Sequence, residues 1–287
     1  MSHVLERCGA KSRDLNSLAE AQQDVLAQLG NGWDSPLELA DRCLQSEAAK
    51  QFYSSLTEAL NKQQVNECGL ACVHGMERIL PLWQAALEKK NRQIQHLLVV
   101  RHPLAVVEQF REEEGWDRDR ALLVWLQSTL AMERHSRNFS RVIVDGEQLA
   151  WDLDGALNQI EATLQLTLPE RHHKSLIELE HEPDTQTIPI GNKTLSLAPN
   201  RSTGSLLLTM ALQLHDWLLA ENQTRERQKH LPNAIREQLT LAEVLMGRTL
   251  NDLSLQNDSL KNKLQILEKR RSLRFSNWIR RRPDEAA

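Results

Sequence analysis

His96-Leu-Leu-Val-Val-Arg-His-Pro-Leu-Ala105 is the stretch whose reading decides the fold. His96 to Val100 is a short β-branched and leucine run, the pattern of a parallel strand covered on both faces. The run breaks off at Arg101. Pro103 suits the first turn of a following helix, where its missing N–H removes no hydrogen bond. In open α/β sheets the carboxyl ends of the strands face the ligand crevice, so Arg101 stands where a phosphate is held. The same arginine also fits a plainer role, capping the strand and pairing with a nearby carboxylate. The residues leave both open.

Working outward, apolar residues fall at helical spacing from Ser17 to Leu29 and from Leu37 to Leu60, with Gly30-Asn-Gly-Trp-Asp-Ser-Pro36 between them as stop and start signals. Gly69 to Val73 reads as a short strand and Glu77 to Lys90 as a helix carrying Trp83. After the Pro103 helix, Gly115 gives a break and Asp117 caps a long helix to about Arg137. Arg141 to Val144 is another short buried strand, Asp154 to Leu164 a helix, 168–200 irregular, and Ser202 to about Glu221 a helix again. The β-α-β order predicts an α/β fold with a parallel sheet flanked by helices, over a main domain of residues 1–221.

A chain of 287 residues with 40% apolar composition has room for one good-sized core and an appendage. The net charge of −4 argues against a whole-molecule nucleic-acid binder, so no specific nucleic acid is expected. Cys8, Cys43, Cys68 and Cys72 have neither redox nor zinc spacing and read as reduced, buried thiols of a cytoplasmic protein. No metal site is expected: His172-His173 lacks further ligands, and His135, between Arg134 and Arg137, reads as a surface residue. No run reaches the roughly eighteen apolar residues of a membrane span, and the N-terminus does not read as a signal peptide.

Beyond Pro232 the pattern changes. Leu239, Met246, Leu253, Leu260 and Leu267 recur every seven residues, with Leu250, Asn257 and Leu264 at the partner positions. Leucine at d with one asparagine at a favours a parallel two-stranded coil in fixed register, so 235–268 is expected to make a homodimer within a helical segment 222–270. A long amphipathic helix folded onto its own domain fits the same pattern. The tail 271–287 is basic. Lys269, Arg270, Arg271, Arg274, Arg280, Arg281 and Arg282 alternate with Leu273, Phe275, Trp278 and Ile279, which suits peripheral binding of 269–282 to an anionic membrane face as well as plain solvation.

Three pieces of the chain resemble the bacterial carbohydrate-type sulfotransferases, a P-loop-related α/β family. They are Leu97-Leu-Val-Val-Arg-His-Pro-Leu-Ala-Val106, the helix Ala121-Leu-Leu-Val-Trp-Leu-Gln-Ser-Thr-Leu-Ala-Met-Glu-Arg-His-Ser-Arg137, and Arg141-Val-Ile-Val144 with Glu147-Gln-Leu149. Trp83 and the Gly30 to Pro36 loop are similar to family positions too. The resemblance implies a 3′-phosphoadenosine 5′-phosphosulfate cofactor, contacted at its 3′-phosphate by Arg101 and by Gln109 eight residues on, and a carbohydrate acceptor.

The departures from that family bear on activity. The family's glycine-rich loop, which turns backbone N–H groups and a helix N-terminus toward phosphate, has no counterpart in these residues. Ser2 to Gly9 looks like the end of the helix that follows such a loop, so the usual first strand is expected to be missing. Gln109 replaces a serine, Cys72-Val-His-Gly-Met76 replaces a Lys-Asp-Pro-Arg-like segment, and Asp145-Gly146 replaces an aromatic. Asp14 and Glu20 align only loosely with the family's general base, and no catalytic residue is assigned. Sulfuryl transfer needs a base and several cations around the leaving phosphate. The expectation is a sulfotransferase-like protein, inactive or incomplete as written. The alternative is a non-catalytic coiled-coil interaction protein whose basic tail binds a membrane surface or polyanion.

Overall fold

The computed structural model describes residues 11–12, 16–61, 69–168, 204–220 and 228–244, together with 256, 259, 260 and 263. The chain divides into two compact units, 1–236 and 237–287. The first is mostly helical around small parallel strand pairs, a general α/β arrangement.

In chain order its elements are β1 (Lys11–Ser12), α1 (Asn16–Gln28), α2 (Glu47–Asn61), β2 (Gly69–Leu70), α3 (Leu80–Lys89), β3 (Gln95–Val100), α4 (Pro103–Glu114), α5 (Arg118–Ser136), β4 (Ser140–Asp145), α6 (Gln148–Trp151), α7 (Leu153–Leu164) and α8 (Gly204–Leu219). Single turns of 3-10 helix occupy Asp41–Gln45 and Met76–Arg78. The chain is helical again over 231–236. β3 runs parallel to β4 in the register Leu97↔Val142 to Val100↔Asp145, and β1 runs parallel to β2 as a separate pair.

Local chemistry explains most boundaries. Gly115, at φ 66°, ends α4 in the left-handed region that glycine tolerates, and the Asp117 carboxylate accepts from the backbone N–H groups of Asp119 and Arg120 to start α5. The helix expected from Leu37 to Leu60 is shorter. Asp41–Gln45 turns as 3-10, and α2 starts only after Ser46, whose hydroxyl accepts from the Ala49 N–H at 3.2 Å. Likewise Pro81 in the first turn of α3 makes Glu77 to Lys90 a 3-10 turn followed by a helix. The strand expected to reach Val73 stops at Leu70. Cys72 in the turn beyond it is exposed and Cys43 half-buried, correcting the expectation of buried thiols, while Cys8 and Cys68 lie outside the described residues.

One apolar core joins α1, α2 and α3 through Leu26, Phe52, Leu56, Ile79 and Trp83. Trp83 donates its indole N–H to Gln22 Oε1 at 3.0 Å, so both buried polar groups are satisfied. A second core packs Val142 and Val144 of β4 on Ala156, Leu157, Ile160 and Leu164 of α7. Arg78, 4% exposed, pins the 31–37 loop to the first core: it donates to Asn31 Oδ1 at 2.7 Å, to the Leu37 carbonyl at 3.0 Å and to the Ser35 carbonyl at 2.5 Å. Glu133 of α5, 1% exposed, is neutralised by Arg137 at 2.7 Å and Arg141 at 3.7 Å.

In the second unit residues 237–244 are helical, as are 256, 259, 260 and 263. Leu239 is buried, whereas Leu260, in a helical position of the heptad, is 58% exposed. The heptad positions Met246, Leu250, Leu253, Asn257, Leu264 and Leu267, and the basic tail 269–282, lie outside the described residues, as do Ser2 to Gly9, Asp14 and His172-His173. Among the described residues no helix is long and apolar enough to cross a membrane.

Candidate functional site

The parallel register places the carboxyl ends of β3 and β4 side by side, so Arg101 follows β3 next to Asp145-Gly146 at the end of β4. Three contacts fix it there. The Gly146 N–H donates to the Val100 carbonyl at 2.8 Å, the Trp125 indole N–H of α5 donates to the Arg101 carbonyl at 3.2 Å, and the Arg101 guanidinium donates to Gln109 Oε1 two turns along α4. Arg101 and Gln109, the two residues singled out from sequence, are thus brought together. Gln109 in turn donates its amide to Glu113 Oε1 at 2.9 Å, so its side chain is engaged on both sides and holds the arginine in place. Among the described residues no carboxylate forms an ion pair with Arg101.

Gly146 is packed against this arginine. A Cβ at that position would lie 2.8 Å from Arg101 Cγ, closer than side chains tolerate, and in tight contact at 3.2 Å with the Val100 carbonyl oxygen.

The next residue, His102, caps α4: its Nδ1 accepts from the Leu104 N–H at 3.3 Å. Its own backbone N–H donates to both oxygens of Glu147, at 3.0 and 3.3 Å, so one protein carboxylate already occupies the amide nearest the helix start. Burial, the hydrogen bond with Asp145 and that neighbour's charge push the Glu147 carboxyl above its usual range, against the His102 N–H. Burial, and then the neighbouring His215, push His102 below the ordinary imidazole value, with Asp216 and Asp145 opposing.

His215 enters from α8. Its ring meets that of His102 edge-on at 5.0 Å between centroids, its Nδ1 lies 3.4 Å from Asp216 Oδ1, and its buried Nε2 has no hydrogen-bond partner among the described residues. Sequence reasoning quoted His102 and Glu147 without giving either a role and passed over His215. A signal existed in the run Leu206-Leu-Leu-Thr-Met-Ala-Leu-Gln-Leu-His-Asp-Trp-Leu-Leu219, where His-Asp interrupts an otherwise apolar helix.

His135, expected at the surface, is half-buried instead. Burial and then the Arg134 charge push its imidazole down to about 4. Its place is structural, for its carbonyl accepts from Gln84 Nε2 at 2.7 Å. Among the described residues no group of three or more metal-ligating side chains comes together.

One guanidinium supplies two forked donors, which suits one tetrahedral oxyanion. Here one of its nitrogens, Nη1, already donates to Gln109. No family model, curated protein or solved structure matches the chain.

Proposed function

We propose that the chain is a sulfotransferase-like protein that binds a phosphorylated nucleotide of the adenosine 3′,5′-bisphosphate type at the carboxyl ends of β3 and β4, with no complete sulfate-transfer centre in these residues. The observation that carries this is the guanidinium of Arg101, seated at the strand end, oriented by a neutral amide and unpaired with any carboxylate among the described residues. A strand-capping arginine would be expected to spend its charge on a carboxylate, and here Glu147 is instead engaged by the His102 N–H. Gln109 acts on the phosphate through Arg101. The strand, helix and strand that resemble the sulfotransferases run through this same corner of the fold, which favours a 3′-phosphate as the anion. Calorimetric titration with adenosine 3′,5′-bisphosphate tests the reading: micromolar binding is expected, weakened at least tenfold in Arg101→Ala, about the loss of one charge-assisted pair. No binding, or equal binding by the variant, overturns it.

A second reading concerns assembly. Leu260 is helical and exposed at a heptad position, which favours pairing of 235–268 with a second copy. Sedimentation of the whole chain should give a dimer that Leu260→Asp converts to monomer; a monomeric parent chain at tens of micromolar sinks this reading.

A further inference from the structure

We propose that the groove between α8 and the helical segment that starts at Leu231 binds an amphipathic amine, a primary ammonium on a short apolar body, with Asp216 taking the charge. It involves none of the residues of the nucleotide reading above, so either can fail alone.

The run from Gly204 to Leu219 is mostly apolar, and α8 spends it inward, burying Met210, Ala211, Leu214 and Leu218. Gln213 and Asp216 interrupt the run three residues apart, which puts them on one exposed face. Trp217, four residues after Gln213, is buried at the border between that face and the core. The chain passes this face again from Gln228, turning and then becoming helical at Leu231. Between the two lies an open groove of about 630 Å³, within the roughly 300–1,000 Å³ of small-molecule sites.

The lining decides the class of ligand. Trp217 and Leu231 give it an apolar wall, and Gln213 and Gln228 bring amide oxygens. Asp216 is the one carboxylate among the described lining residues, and none of these is a lysine or an arginine. Its side chain is 81% exposed; Oδ1 lies 3.4 Å from His215 Nδ1, and Oδ2 has no hydrogen-bond partner among the described residues. The cations of the second segment are placed elsewhere. Lys229 is exposed and does not line the groove, and Arg236 donates to the Leu130 carbonyl at 2.9 Å and lies 3.6 Å from Glu38. A ligand here therefore needs a positive end for Asp216 and an apolar body for Trp217 and Leu231. A primary ammonium has three donors, enough for one carboxylate oxygen and two amide oxygens. An anion is repelled by Asp216, and a neutral molecule gains the apolar wall alone. Water screens a carboxylate this exposed, so the charge sets the preference and the wall shares the binding.

Three probes of similar shape separate the charge from the apolar contact: phenethylamine, 2-phenylethanol and 3-phenylpropionate. Their binding to the whole chain is followed by nitrogen-15 NMR of the indole N–H signals, that of Trp217 being assigned by its loss in Trp217→Phe. Phenethylamine is expected to shift the Trp217 signal with a Kd of about 1 mM, the strength open to a probe of its size. 2-Phenylethanol should bind roughly three- to tenfold more weakly, and 3-phenylpropionate should leave the signal in place. Asp216→Asn, at an exposed position, should weaken phenethylamine by that same factor of roughly three to ten and leave 2-phenylethanol unchanged. Gln213→Glu adds a second carboxylate to the same face and should tighten phenethylamine about two- to threefold. Equal binding of the amine and the alcohol, or equal phenethylamine affinity in the parent and Asp216→Asn, overturns the inference. So does the absence of any shift at about 10 mM, ten times the expected Kd, which is the result if a second copy of the chain fills the groove. Should Trp217→Phe not fold, the line broadening of phenethylamine itself, compared among the parent, Asp216→Asn and Gln213→Glu, decides in the same way.

Discussion

Removing the Glu133 carboxylate tests how far the long helix α5 depends on one buried charge. Arg137 grips it twice, Nε to Oε1 at 3.1 Å and Nη2 to Oε2 at 2.7 Å. Arg141 adds a longer contact at 3.7 Å while donating to the Glu133 carbonyl at 3.1 Å and to Ser136 Oγ at 3.2 Å. In Glu133→Ala the two arginines respond differently. Arg137, with 40% of its side chain exposed, can turn to water, but Arg141, 19% exposed, loses its 3.7 Å contact with the carboxylate and stays where it is. Breaking a fully buried pair costs about 3–5 kcal/mol, and one half-accessible partner lowers that to about 2–4 kcal/mol. Urea unfolding followed by far-UV circular dichroism should show an unchanged slope and a midpoint lower by about 1 M, taking a slope near 3 kcal/mol/M. Glu133→Gln keeps the shape and should lose about half as much. A loss under about 0.5 kcal/mol in Glu133→Ala, or a Glu133–Arg137 coupling near zero in a double-mutant cycle, would falsify the claim that this pair organises the helix.

Other expectations follow from the same geometry. Because the folded His135 imidazole is pushed down to about 4, against about 6.5 unfolded, its contribution is complete above pH 6.5 and is lost as pH falls from there toward 4. For a half-buried ring this amounts to on the order of 1–2 kcal/mol, and His135→Asn should flatten that part of the stability profile; equal slopes argue against it. Arg78→Met strands the Ser35 and Leu37 carbonyls and should lose about 2–4 kcal/mol, with faster proteolysis within 31–37 as the readout. Asp117→Ala removes the α5 cap and should lower stability by about 1 kcal/mol, visible as a reduced melting temperature.

The sequence was most readable where one residue type has one local use. The run from His96 to Val100, Pro103 after it, Gly115 and Asp117 each set a boundary through their own backbone chemistry, and the structure keeps all of them. Arg101 was legible as the residue at which the strand run breaks off, while Gln109 was named only through the family resemblance; the structure brings the two side chains together. The helix expected from Leu37 to Leu60 failed because its apolar spacing is real but serves a 3-10 turn and a helix meeting at Ser46. His102 and His215 are 113 residues apart, and Arg78 reaches back more than 40 residues to its loop. Partnerships of that span leave no local pattern to read.

Gly146 acts as a gauge for the arginine beside it. Since even one methyl group there would overlap Arg101 Cγ, the resting position of the guanidinium is set by the width of a glycine at the end of the neighbouring strand. The place of the guanidinium can therefore be changed without altering any charge around it. A Gly146→Ala chain would carry every ionisable group of the parent, yet present its cation displaced from the strand end. Variants that move this arginine are then to be sought in the volume behind it as much as among the polar side chains around it.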